Sequence, residues 1–168
     1  MGSAARRADL PLFRLLGGFD ARVPCYAGGI DLDLPVEALL RQTDDNLGKG
    51  FRAIKMKVGR PYLASDVARV RAMRKHVGDG FPLMADANMK WTVEEAIRAA
   101  RALLPFDLTW LEEPIIPDDV AGHARILAAG GVPIATCARS GNSRTTSPRG
   151  RCPIPSPTSP IAAASHPL

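Results

Sequence analysis

Along residues 1–136, short apolar runs alternate with longer stretches whose apolar positions recur every three or four residues. The runs RVPCYAGG (22–29), AIKMKVG (53–59), PLMADAN (82–88), LTWLEEP (108–114) and VPIAT (132–136) predict strands. Between them, LPVEALLRQTDDNLGKG (34–50) places Leu34, Val36, Leu39, Leu40 and Leu47 near one face of a helix that Gly48 or Gly50 would stop. LASDVARVRAMRKHVG (63–78) predicts a helix with Ser65 as N-cap and Val67, Val70, Met73 and Val77 as its apolar stripe. Arg69, Arg71, Arg74 and Lys75 of that helix read as a largely solvated face. TVEEAIRAARALL (92–104) opens with the capping-box pair Thr92 and Glu95, and DDVAGHARILAAGG (118–131) predicts the next helix.

Strand starts recur at intervals of about 25 to 30 residues, the length of one βα unit, so the alternation implies an α/β fold with a parallel sheet. No Gly-x-Gly-x-x-Gly follows the first strand, which argues against a dinucleotide fold. A complete (β/α)8 barrel needs about 250 residues, so about four and a half units here amount to a partial barrel.

The candidate chemistry lies on the strands. In AIKMKVG, alternation sends Ile54, Met56 and Val58 towards the helices and Lys55 and Lys57 to the opposite face. Two ammonium groups inside a barrel are costly unless paired or used. The bland alternative is an edge strand with a solvated lysine face. Asp86 and Asn88 share a face at the carboxyl end of one strand, and Glu112 and Glu113 end the next, before Pro114 blocks further pairing. Acids at the carboxyl ends of successive parallel strands converge where barrel active sites lie.

Taken in order and register, Lys55-Met56-Lys57, Asp86-x-Asn88 and Trp110-Leu111-Glu112-Glu113-Pro114 resemble the mandelate racemase group of the enolase superfamily. PLFRLLGG (11–18) resembles the junction between that family's capping domain and barrel. The resemblance implies a Mg²⁺-dependent racemase or dehydratase, an isomerase or hydro-lyase, acting on a hydroxy acid or acid sugar through an enediolate. It implies Asp86 and Glu112 as two of three metal ligands and Lys57 as the base that removes the proton α to the substrate carboxylate. Lys55 would hold that carboxylate and lower the proton affinity of Lys57 by like-charge repulsion. Asn88 and Glu113 would be supporting or substrate-side groups. The implied partner is a small carboxylic acid, and family members are often homo-oligomers.

The pattern departs from the family after residue 136. The third metal ligand should be a Glu in a Gly-Glu pair after the fifth strand, where Ala138 stands. The Asp–His pair expected on later strands has no counterpart. The alternative function is therefore a truncated, catalytically inactive chain. The abrupt break suggests a frameshift, a hypothesis that translating the other two frames downstream of codon 136 would decide: neither frame giving barrel-like strands sinks it. The domain reading is a junction remnant at 1–20, a partial barrel at 21–136 and a disordered Pro/Ser/Arg-rich tail at 137–168.

Charge and cysteines change the picture little. The net charge is +5, but residues 137–168 hold four Arg and no acid, leaving 18 basic and 17 acidic residues before them. The basic balance thus belongs to the tail, and no nucleic-acid face is expected. Cys25, Cys137 and Cys152 fit neither a zinc site nor a disulfide framework. No apolar run is long enough to span a bilayer, and MGSAARRADL lacks a signal-peptide core, so no membrane partner and a cytoplasmic location are expected. His76, His123 and His166 are read as non-catalytic, Trp91 and Trp110 as packing residues, and Tyr26 and Cys25 as pocket-lining at most.

Overall fold

A computed structural model describes residues 9–20 and 22–136. The expected tail, with Cys137, Ala138, Cys152 and His166, lies outside the described residues. A short helix α1 (Leu12–Leu15) precedes strand β1 (Ala27–Gly28). Then follow α2 (Val36–Gly48), β2 (Ile54–Lys57), α3 (Leu63–Val77), β3 (Leu83–Asp86), α4 (Val93–Leu103), a 3₁₀ turn (Leu104–Phe106), β4 (Leu111–Glu112), α5 (Val120–Ala129) and β5 (Ile134–Ala135). All four strand pairs are parallel and the sheet order is β1-β2-β3-β4-β5. Each strand is thus joined to its neighbour by a helix, the arrangement that builds a (β/α) barrel strand by strand.

The strands are shorter than the patterns suggested, for local reasons. Pro24 offers no N–H to a ladder, and the chain leaves the sheet at Gly29. Asp86 ends β3 because Asn88 and Met89 adopt left-handed backbone, with φ of 47° and 60°. Asn88 therefore sits in a turn beyond Asp86 and does not continue its alternation. Glu113 ends β4 with φ of 43°, one residue before Pro114.

The face that packs against the helices carries Ile54, Met56, Val58, Leu83, Ala85 and Leu111, all buried with Leu39, Val70, Met73 and Leu103 from the helices. Val67 and Val77 complete the stripe of α3 from the edge of this core. The opposite face of β2 carries Lys55 and Lys57, so the predicted alternation holds residue by residue.

Helix starts follow their caps where a cap exists. Thr92 Oγ1 accepts from the Glu95 N–H at 3.3 Å, and the Thr92 N–H donates to Glu95 Oε2 at 2.8 Å. Thr92→Ala is expected to lower stability by about 1 kcal/mol, read from the shift of the urea midpoint. Ser65 is not an N-cap: α3 begins at Leu63, after Tyr62, which makes no side-chain cap bond.

The solvated arginine face of α3 is also corrected. Arg69 and Arg74 are 2% and 7% exposed, while Arg71 and Lys75 do face solvent. Arg69 Nη2 donates to the Asp31 carbonyl at 2.7 Å, and its Nη1 bonds the Leu34 carbonyl. Arg74 donates to the carbonyls of Phe106, Gly78, Phe81 and Asp107. A guanidinium carries five N–H donors in a planar fork, so one side chain can close several loop carbonyls that the sheet leaves open. A helical-wheel reading sees only the charge of these residues and not the loops that fold back over α3.

Candidate metal and proton-transfer site

Register brings the predicted residues together. Lys57 pairs with Asp86 across β2–β3, Asp86 pairs with Glu112 across β3–β4, and Glu112 pairs with Ala135 across β4–β5. Three of the four residues expected to carry catalytic or metal roles therefore form one row at the carboxyl ends of adjacent strands. Lys55 stands two residues back on the same face of β2.

The side chains meet in that row. Lys57 Nζ donates to Asp86 Oδ2 at 2.7 Å. Lys55 Nζ donates to both Glu112 oxygens at 3.0 Å and lies 3.4 Å from Asp86 Oδ2. Two ammonium groups thus face two carboxylates, and the formal charges cancel. Asp86 is the most enclosed, at 4% side-chain exposure against 15% and 19% for the two lysines. Burial pushes the Asp86 carboxyl up, but the bonds from Lys57 and the Asn88 N–H, with the charges of both lysines, hold it below the usual aspartate range. Burial likewise works against the Lys55 ammonium, and the bond and charge of Glu112, helped by Tyr26, raise its pKa above the usual lysine value.

Asn88 and Glu113 lie beside the row and reach it through their backbones. The Asn88 N–H donates to Asp86 Oδ1 at 2.9 Å. The Glu113 N–H donates to the Ala135 carbonyl at 2.9 Å, and its own carbonyl accepts from Met89 at 2.7 Å. Positive φ at Asn88, Met89 and Glu113 gathers strained backbone around the ends of β3 and β4.

Two aromatic residues read as packing or lining belong to the same network. Trp110 Nε1 donates to Glu112 Oε2 at 3.1 Å. Lys55 Nζ sits 5.2 Å from the centre of the Tyr26 ring, and that ring meets Trp110 edge-on at 5.9 Å. The signal was present in the strand period: Trp110 precedes Glu112 by two residues and so shares its face. Tyr26 likewise precedes by two residues Gly28, the β1 partner of Lys55. Among the residues read as non-catalytic, His76 contacts Asp44 at 2.6 Å and His123 Nδ1 lies 2.9 Å from the Asp119 carbonyl, both away from this row.

The donor set can be weighed against a divalent cation. Lys55 Nζ marks a point that oxygens of both carboxylates reach, so Asp86 and Glu112 converge on one cation-sized position. Hard carboxylate oxygens suit Mg²⁺, which commonly takes one or two carboxylates and keeps several waters. Among the described residues no three His, Cys, Asp or Glu side chains group to hold a metal ion. The residues present therefore fit Mg²⁺ in kind and could supply two of its ligands.

The family model described as "Enolase C-terminal domain-like" matches residues 38–146. The chain belongs to this enolase family. It is 66% identical over 129 residues to a 3,6-anhydro-alpha-L-galactonate cycloisomerase of Streptomyces coelicolor, covering 77% of this chain and 36% of the relative. A racemase from Streptomyces coelicolor A3(2), solved with bound magnesium, superposes with a TM-score of 0.72 at 66% identity, over 75% of this chain and 35% of that one. An L-talarate dehydratase from Polaromonas sp. JS666, complexed with Mg and L-glucarate, superposes with a TM-score of 0.70 at 42% identity, over 79% of this chain and 38% of that one. This member of the enolase family spans about a third of the length of the relatives it matches. Magnesium is thus found in structures of the enolase family at high similarity to this chain, and the partial barrel accords with their fold. No helix among the described residues is long and apolar enough to cross a membrane.

Proposed function

We propose that residues 21–136 carry the lysine-base half of a Mg²⁺-dependent active site that removes the proton α to a carboxylate of a hydroxy acid or acid sugar. The supporting observation is the single row of Lys57, Asp86 and Glu112, with Lys55 in contact with both acids. In this reading Asp86 and Glu112 hold the metal. Bound there, Mg²⁺ would supply the positive charge that such a weakly acidic proton requires, as is general for enolase-superfamily sites. Lys57 would first give its ammonium proton to solvent as the metal draws Asp86 away, and its neutral Nζ then takes the α-proton, while Lys55 holds the substrate carboxylate and the enediolate formed from it. The substrate carboxylate and Glu112 would compete for the Lys55 ammonium, so a bound acid would draw Lys55 away from Glu112. Racemisation or dehydration then depends on the group that acts on the other face of the substrate. The junction at 1–20 and a cytoplasmic setting belong to the same proposal.

A second reading is a chain with the family's half-site and no turnover. It is supported by the two-carboxylate count among the described residues. One experiment separates the two. The full chain is incubated with Mg²⁺ and a panel of hydroxy acids and acid sugars in D₂O, and loss of the α-proton signal is followed by NMR. The first reading expects exchange that falls at least about 100-fold in Lys57→Ala. Absence of exchange in a folded, Mg²⁺-binding wild type supports the second reading, and exchange that survives Lys57→Ala removes Lys57 from its role.

A further inference from the structure

The β1–β2 ladder stops short of the site. Gly28 with Lys55 is the last registered pair, and the chain then turns out of the sheet. Ile54 and Val58 give their N–H groups to the β3 side, to the Pro82 carbonyl at 3.1 Å and the Asp86 carbonyl at 3.0 Å. By alternation the Lys57 N–H points the other way, towards a strand that has already ended. A buried N–H without a partner is costly, so something must replace that strand.

Asp31 replaces it. Its Oδ1 accepts the Lys57 N–H at 2.8 Å, across 26 residues of sequence. Asp31 is 2% exposed, and Arg69 holds it from behind, with Nη2 2.7 Å from its carbonyl and 3.8 Å from its carboxylate. Arg60 adds bonds to the Leu32 carbonyl at 2.8 and 2.6 Å. Asp66, fully buried in the first turn of α3, accepts from the N–H groups of Gly59 and Arg60 at 2.9 and 3.0 Å. The backbone on both sides of Lys57 is therefore fixed by buried charge.

We infer that Asp31 is a positioning residue for Lys57: its carboxylate continues the β1 ladder by one bond and fixes the backbone from which the proposed base reaches its partner. The arrangement lets the loop after β1 leave the sheet at the rim of the site without releasing Lys57. A main-chain carbonyl in the same place would require β1 to run on and close that rim. The inference rests on the proposed role of Lys57 for its functional meaning, but its geometry does not.

The test uses the full chain, isotope-labelled, by NMR. In the wild type, a long-range correlation across the hydrogen bond should link the Lys57 N–H to the Asp31 side-chain carboxyl carbon. Asp31→Ala should speed hydrogen exchange of the Lys57 amide roughly 10- to 100-fold, while the amides of Leu83, Leu103 and Leu111 keep their protection. The Lys57 Nζ resonance should move as its contact with Asp86 loosens. Asp31→Asn keeps an acceptor oxygen and should restore most of the protection. A missing wild-type correlation, an unchanged Lys57 amide, or a loss shared equally by the core amides overturns the inference. If Asp31→Ala does not fold, the wild-type correlation and the Asn variant decide. None of these readings involves turnover, so they stand or fall separately from the D₂O experiment.

Discussion

Arg74→Ala is expected to remove about 3–5 kcal/mol of stability, with a matching fall in the urea midpoint. Arg74 is 7% exposed and sits in the last turn of α3. It donates to Gly78 at 2.9 Å, just past its own helix, and to Phe81 at 2.8 Å, just before β3. It also donates to Phe106 and Asp107, each at 2.9 Å, in the connection from α4 to β4. One side chain therefore closes three pieces of chain at the end of the sheet opposite the acids. A buried carbonyl left without a donor costs about 1–3 kcal/mol, and since Gly78 and Asp107 are exposed and Phe81 and Phe106 half-buried, water recovers part of that at each. Burial lowers the Arg74 pKa, yet an arginine stays protonated throughout the accessible range, so the donors are permanent. Arg74→Lys should recover less than half of the loss, because a compact ammonium cannot span four carbonyls held by a planar fork. Since whole domains are stable by only about 5–15 kcal/mol, the Ala variant should be partly unfolded at moderate temperature. A loss below about 1 kcal/mol would show that the loops are closed by other means.

That residue also marks where the sequence stopped being informative. Strand and helix types were legible because their periods differ, and the inward direction of Lys55 and Lys57 followed from alternation in four residues. The convergence of Lys57, Asp86 and Glu112 was legible because parallel strands joined by helices bring their carboxyl ends to one side. Arg69 and Arg74 were not legible. Their partners are carbonyls, which every residue has, so no sequence pattern announces them. Asp31 was missed for the mirror reason: its partner is the N–H of Lys57, and an acid in a loop reads as solvated. Ser65 misled because a good capping side chain near a helix start is not evidence that the start lies there. Trp110 was within reach, since it lies two residues before Glu112, whereas the face of Tyr26 became plain only from the pairing of Gly28 with Lys55.

The site has a property that none of its motifs states. Its two cations and two anions balance, and each ammonium is held by an acid on another strand. Exchange of ligands at this row is therefore an exchange of charge partners. On the proposed reading, a divalent cation between Asp86 and Glu112 would compete with Lys55 for the acids, and a substrate carboxylate would offer Lys55 a new partner. Metal and acid substrate should accordingly assist each other, because each satisfies the charge that the other displaces.

Asp86→Asn should break this balance. Asp86 Oδ2 lies 2.7 Å from Lys57 Nζ and 3.4 Å from Lys55 Nζ, so an amide there leaves two ammonium groups with Glu112 alone. Removing one partner of a fully buried pair costs about 3–5 kcal/mol. The lysines keep 15% and 19% side-chain exposure and can turn partly to water, which discounts the loss to about 2–4 kcal/mol. Lys57→Met in the Asn background should restore about 1–3 kcal/mol, because it removes the surplus charge rather than the fold's only use for it. Asp86→Asn by itself should also erase the response to metal. A ligand that binds the folded state raises stability by about 2.7 kcal/mol at 100 times its dissociation constant, and this gain should be present with Mg²⁺ in the wild type and absent in Asp86→Asn and Glu112→Gln. Thermal unfolding of all four proteins, with and without Mg²⁺, measures both effects at once. An Asp86→Asn chain as stable as the wild type, with its Mg²⁺ response intact, would mean that the row of acids carries neither the charge balance nor the metal.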